Sequence, residues 1–231
     1  MQAVVTGANR GIGLEMTRQL VARGCFVFAG VRAPNNATVL RQLAKDSGKV
    51  KILHLDVANP ASIEVFAREV LSETPALQIL VNNAGILPDE NSLDDVSAEK
   101  MIECFRVNSV APVLMVQKLR PVLEKGKAKI LNVSSGTASM QNASKIGRGL
   151  YSYCASKSAL NRLGLCLAAE LRNSGVSVFS FEPGWVKTDM AKGGGDYTPQ
   201  EAVSNVLKIF DRLTLEESGG YYNWKGDKHP W

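Results

Sequence analysis

Short runs of apolar and β-branched residues alternate along this chain with longer stretches in which apolar positions recur every three to four residues. The short runs are Ala3 to Thr6, Phe26 to Val31, Val50 to Leu55, Ile79 to Asn82, Ile130 to Ser134, Val176 to Phe181 and Tyr221 to Trp224. Each is about the length of a buried strand. Between them, Ile12, Met16, Leu20 and Val21 share one helical face, as do Ile63, Phe66, Val70 and Leu71, and again Leu160, Leu163, Leu167 and Leu171. Strand and helix in strict alternation are the mark of parallel βαβ units, whose right-handed crossovers lay helices on both faces of one sheet. The pattern predicts an α/β fold, a doubly wound parallel sheet of about seven strands. No repeat, low-complexity tract or Pro/Ser linker divides residues 1–231, so a single domain is expected, with Gly193-Gly194-Gly195 a flexible break inside a loop.

Composition narrows the class without changing the fold. Hydrophobic residues at 45% and charged residues at 21% are ordinary globular usage. The net charge of +5 is spread along the chain, and its densest group, Lys125, Lys127 and Lys129, reads as a solvated loop, so no nucleic-acid partner is expected. Cys25, Cys104, Cys154 and Cys166 form no CxxC pair, and His54 and His229 are the sole histidines, so no metal site is expected and reduced thiols fit a cytoplasmic protein. The chain enters a strand at once, with no basic segment followed by an apolar signal region, so no targeting segment is expected; its apolar runs fall short of the roughly 20 residues a membrane span needs.

Candidate chemistry begins where the first strand meets the first helix, at Thr6-Gly7-Ala8-Asn9-Arg10-Gly11-Ile12-Gly13. At this junction of a Rossmann-like sheet, glycines let the backbone turn tightly against a pyrophosphate, which meets the free N–H groups and positive dipole end of the following helix. The TGxxxGxG spacing differs from GxGxxG. A site selective for NAD places a carboxylate near the end of the second strand; this chain has Gly30-Val31-Arg32 instead. The guanidinium forks of Arg32 and Arg10 suit a 2′-phosphate, which points to NADP(H); the plainer reading of Arg32 is the start of a solvated loop. Asp56-Val57 and Asn82-Asn83-Ala84-Gly85 follow the third and fourth strands, at the sheet end where ligands bind. Asp56 there either accepts from the adenine amino group or caps the helix after Pro60.

Tyr153 and Lys157 lie four residues apart in Tyr153-Cys154-Ala155-Ser156-Lys157, one turn from each other on one helical face. A fixed ammonium beside a phenol favours the phenolate and eases proton transfer in either direction. A carbonyl undergoing reduction also needs a donor aimed at its oxygen, and Asn132-Val133-Ser134-Ser135-Gly136 brings hydroxyls to the same rim. Ser135 is the first choice, with Ser134 and Ser139 the alternatives. Asn108 interrupts a helical pattern, either to hold a water or the lysine with its amide or as a plain kink.

Taken together, these residues resemble the short-chain dehydrogenase/reductase family, and within it the sniffer-type carbonyl reductases and the bacterial C-factor group. The likeness runs from Thr6 to Gly13 through Asp56, Asn82 to Gly85, Asn108, Ser135, Tyr153 and Lys157 to Pro183-Gly184-Trp185-Val186-Lys187-Thr188-Asp189-Met190. It implies a catalytic tetrad of Asn108, Ser135, Tyr153 and Lys157. Ser135 and Tyr153 would bind the substrate oxygen, Tyr153 would protonate it, Lys157 would also hold the nicotinamide ribose, and Asn108 would keep a water in the relay. It further implies that Pro183, Gly184, Val186 and Thr188 line the nicotinamide and that the pro-S hydride is transferred. Two departures stand out. Ser135 and Tyr153 are 18 residues apart, longer than the family's usual spacing, so Met140 to Arg148 is expected to loop out; and Met190 to Tyr197 is a short, glycine-rich cover, for which an open, mobile site of loose selectivity is expected.

The leading expectation is NADPH-dependent reduction of an aldehyde or ketone. Its rival is an NADP(H)-binding signalling protein of the C-factor type, which needs neither Tyr153 nor Lys157. The helix carrying Tyr153 continues as Leu163-Gly164-Leu165-Cys166-Leu167-Ala168-Ala169, apolar on nearly every face, for which packing in a homodimer is expected.

Overall fold

A computed structural model describes residues 1–142 and 149–231. Seven parallel strands, β1 (Gln2–Thr6), β2 (Phe26–Val31), β3 (Val50–His54), β4 (Ile79–Asn82), β5 (Lys129–Val133), β6 (Ser177–Glu182) and β7 (Tyr221–Asn223), form one sheet in the order β3-β2-β1-β4-β5-β6-β7. The strand ends differ from the sequence reading by a residue here and there, as expected where hydrogen bonding rather than hydropathy ends a ladder.

Side-chain alternation along each strand builds two cores. Ala3, Val5, Val27, Ala29, Leu131, Phe179 and Phe181 face one side, where helices α1 (Gly11–Ala22), α2 (Thr38–Ser47) and α7 (Pro199–Arg212) bury Met16, Leu20, Leu40, Leu207 and Phe210. Val4, Phe28, Leu80, Ile130 and Val178 face the other, against Phe66 and Val70 of α3 (Pro60–Glu73), Met115 and Leu119 of α5 (Ala111–Lys125) and Leu171 of α6 (Tyr151–Leu171). A period of two along a strand sends neighbours to opposite faces, so each strand serves both layers. The order reverses between β1 and β4, and the crevice beyond the strand ends at that switch point is where such sheets bind ligands.

Two expectations need correction. Lys129 is not part of a solvated loop: its ammonium donates to the carbonyls of Phe210, Asp211 and Leu213 at 3.2, 2.9 and 2.6 Å, closing the C-terminal end of α7 where a cation is favourable. The triple glycine is not a loose break but a hydrogen-bonded turn, with Gly193 N–H on the Thr188 carbonyl at 3.2 Å and Asp196 N–H on the Trp185 carbonyl at 2.7 Å. A Cβ on Gly195 would lie 2.6 Å from the Lys187 nitrogen, so close approach of backbone to backbone explains the glycine there. Residues 143–148 of the expected insert lie outside the described residues.

Candidate active site

Strand β1 ends in a turn braced from β4. The Thr6 hydroxyl accepts from the Asn83 and Ala84 N–H groups, both at 3.0 Å, and the Asn83 amide donates back to the Thr6 and Gly7 carbonyls at 2.9 and 3.2 Å. Gly13 sits so close beneath that a Cβ would lie 2.2 Å from the Gly7 carbonyl oxygen. The first turn of α1 carries neither an acidic residue nor a side-chain cap, so its N–H groups are donors without a side-chain acceptor at the positive end of a helix. That cradle suits a pyrophosphate. Asn9 is exposed in the turn, and Ile12 packs back on the core.

Arg10, Arg32 and Gly85 line one cleft, so the two arginines proposed from sequence do share a site. Arg10 reaches Asp189 at 2.9 Å, an ion pair exposed on both sides and therefore weak enough to yield to a competing anion. Asp56 does not cap α3; Asn59 does, accepting from Ala61 N–H at 3.0 Å, while Asp56 turns its carboxylate onto Ala58 N–H at 3.0 Å. The Val57 side chain lies with Ala58 and Pro60 in a separate apolar groove, which leaves its backbone as the part that could meet a cofactor. From β6, Pro183 and Gly184 turn the chain across the sheet end. Val186 is buried and bridges to Tyr197, and a Cβ on Gly11 would lie 3.3 Å from the Thr188 methyl, so this segment runs beside the glycine turn.

At the end of β5 the three candidate serines part company. The Ser134 hydroxyl is spent on the Asn161 side-chain amide oxygen at 2.7 Å and that of Ser139 on the Trp231 backbone carbonyl at 3.3 Å. Ser135 meets Thr137 at 2.9 Å and also lies within hydrogen-bonding reach of the Tyr153 phenol. Its backbone carbonyl accepts from the Tyr221 hydroxyl, whose ring stacks on His229, so β7 and the following tail hold the serine loop in place.

Lys157 is buried, its Nζ donating to the Val133 carbonyl at 2.7 Å and lying 5.7 Å from the centre of the Tyr153 ring. Tyr153 is half-buried, and burial pushes its pKa up to about 12, with the Ser135 hydrogen bond pulling the other way. Burial likewise lowers Lys157 to about 8. In both groups burial is the largest cause of the shift.

Asn108 lies in a π-helical turn, Arg106–Val110, that joins α4 (Ala98–Phe105) to α5. Its amide holds neither Lys157 nor a kink alone. Oδ1 accepts from Ile86 N–H at 2.9 Å, and Nδ2 donates to the Ile86 carbonyl at 2.9 Å and the Ser156 hydroxyl at 3.0 Å. A Cβ on Gly85 would lie 3.3 Å from this Oδ1 and 3.6 Å from the lysine Nζ, so Asn108 and Lys157 flank the same glycine.

The fold and site define a doubly wound α/β protein with a phosphate-binding turn and a tyrosine–lysine pair at its switch point. The family model for the short chain dehydrogenases matches residues 1–196, and the chain belongs to that family of oxidoreductases. It is 31% identical to an uncharacterized oxidoreductase of Schizosaccharomyces pombe, over 96% of this chain and 94% of the relative. Among solved structures it resembles the NADPH-bound carbonyl reductase from chicken fatty liver, at 36% identity and TM-score 0.94 over 100% of this chain and 98% of that one. It also resembles the carbonyl reductase Sniffer of Drosophila melanogaster, at 28% identity and TM-score 0.94 over 100% and 99%. Two parts of the site escaped the sequence reading: Thr6 and Asn83 as mutual braces, and Glu90, a buried carboxylate outside every motif. Only the small polar run at Asn82 to Gly85 hinted at the first.

Proposed function

We propose that the protein reduces aldehydes or ketones with NADPH, and that Tyr153 is the acid. The observation that carries this reading is the Lys157 ammonium 5.7 Å from the centre of the Tyr153 ring, with Ser135 the one candidate serine whose hydroxyl is not drawn away to another element. In this reading the pyrophosphate lies on the backbone of Gly7, Asn9, Arg10, Gly11, Ile12 and Gly13. Arg32 and Arg10 take the 2′-phosphate, and Asp56 with the Val57 backbone takes the adenine. Asn83, Ala84 and Gly85 let the cofactor run close, and Pro183, Gly184, Val186 and Thr188 border the nicotinamide. Bound NADPH supplies the hydride that reaches the carbonyl carbon.

The protein's own groups act on the oxygen. Ser135 and Tyr153 donate hydrogen bonds to it, which strengthen as it gains negative charge. Tyr153 then passes its proton to that oxygen, leaving the alcohol. The phenolate so formed is stabilised by the Lys157 ammonium, and Asn108 helps to keep the proton path to solvent at the Gly85 side. The chicken carbonyl reductase, NADPH-bound, supports both the cofactor and the reaction class by likeness.

The test is incubation with NADPH and a panel of aldehydes, diketones and quinones, following loss of reduced-nicotinamide absorbance. Turnover is expected, and Tyr153→Phe should lower it by about a hundredfold or more while leaving NADPH affinity within about threefold. No turnover by the wild type on any carbonyl, with NADPH still bound, would overturn the reading.

A further inference from the structure

Helix α6, which carries Tyr153 and Lys157, begins without a capping side chain of its own. The residue at its N-cap is Leu150, in a left-handed conformation at φ 60°, with no side-chain hydrogen bond to the first turn. Leucine has no acceptor to offer, so the orphan N–H groups of that turn need one from elsewhere. Glu90 provides it from 62 residues away. One carboxylate oxygen accepts from Ser152 N–H at 2.9 Å, the other accepts from the Ser152 hydroxyl, and the Glu90 backbone carbonyl accepts from Leu150 N–H at 3.2 Å. Glu90 is 2% exposed and Ser152 0%. Gly149 fits the same junction closely, since a Cβ there would lie 2.5 Å from the Glu90 carbonyl oxygen.

The segment between β4 and Glu90 is held at three points. Asn83 and Ala84 are tied to Thr6 in the glycine turn, Ile86 is gripped on both its backbone groups by Asn108, and Glu90 is tied to Ser152. Leu87, Pro88 and Asp89 between the last two ties line the cleft. The strap therefore runs from the cofactor turn to the residue directly before Tyr153. We propose that Glu90 is a positioning residue for Tyr153: it caps the catalytic helix from a distant loop and sets the phenol at the height the reaction needs. This rests on the carbonyl-reductase reading for its effect on turnover, and on the helix cap alone for its effect on structure.

The test compares Glu90→Ala with Glu90→Gln. Glutamine keeps the shape, an acceptor for Ser152 N–H and a donor for its hydroxyl, and lacks only the charge. Displacing a reacting group by about 1 Å costs up to about a hundredfold in rate. Glu90→Ala should therefore lower kcat about tenfold or more, with KM for the carbonyl and Kd for NADPH within about threefold, and Glu90→Gln should recover kcat to within about threefold. Amide exchange over Ser152 to Cys154 should quicken about tenfold in the alanine variant and not in the glutamine one.

A folded Glu90→Ala with wild-type kcat and unchanged exchange would overturn the proposal, as would equal loss in both variants. If Glu90→Ala fails to fold, Ser152→Ala carries the test: it removes the hydroxyl bond alone, and an unchanged kcat together with unchanged exchange would overturn the proposal. A wild type that reduces no carbonyl would sink the reductase reading. In that case unaltered first-turn exchange in Glu90→Ala or Ser152→Ala would separately refute the cap, and faster exchange would uphold it.

Discussion

Lys157→Met should make the cofactor-free protein more stable while removing its activity. Lys157 is 4% exposed, and its ammonium titrates near 8 rather than 10.5 because burial disfavours the charge. At about 1.4 kcal/mol for each tenfold, that displacement means that carrying the charge in the native state at neutral pH costs about 3 kcal/mol. Methionine has similar length, fits a core and carries no charge. It also gives up the charge-assisted hydrogen bond to the Val133 carbonyl, worth about 2 kcal/mol. The difference leaves about 1 kcal/mol of stabilisation, or about 3 °C in Tm for a domain of this size.

The pH dependence separates this cause from better packing. The folded-state pKa lies below the unfolded one, so between pH 8 and 10.5 the unfolded chain binds more protons and wild-type stability rises with pH. The advantage of methionine should therefore shrink across that window and be gone at its upper end. Thermal or urea unfolding of both proteins without cofactor, at several pH values from 7 to about 10.5, measures the difference directly. A variant that melts at or below the wild type at pH 7, or an advantage that does not change with pH, would refute the reasoning.

Two further outcomes are expected. Arg32→Asp should weaken NADPH binding about tenfold or more and NADH far less, because a carboxylate repels the 2′-phosphate and can accept from a 2′-hydroxyl; fluorescence titration with both cofactors measures this, and equal changes for the two would remove Arg32 from the phosphate site. Gly13→Ala should destabilise the fold by about 2 kcal/mol or more, since its Cβ would meet the Gly7 carbonyl oxygen at 2.2 Å; an unchanged unfolding midpoint would show that β1 and α1 can part without cost.

Much of this protein was legible in its order of residues. Alternation of apolar positions set the strands and their two faces, because the period of an extended chain is two whatever surrounds it. Helical periodicity put Tyr153 and Lys157 on one face for the same kind of reason. The glycines from Gly7 to Gly13, next to a strand and before a helix, marked the phosphate-binding turn because backbone clearance is a local property. The family likeness then joined these pieces to Asn108, Ser135 and the segment after Pro183.

Other features depended on which distant segments came to lie together. Ser134, Ser135 and Ser139 carry the same hydroxyl, and what distinguishes them is Asn161 beneath the first, Tyr153 beside the second and Trp231 against the third. Lys129 read as one of a solvated group until the end of α7 supplied three carbonyls for its ammonium. Spacing put Lys157 one turn from Tyr153, whereas the desolvation that raises the phenol and lowers the ammonium depends on everything packed around each group. Glu90 had no motif to announce it, because a cap supplied from a loop far along the chain leaves no local pattern. Covalent geometry writes its periods into the sequence; burial and long-range pairing appear only once the chain has closed on itself.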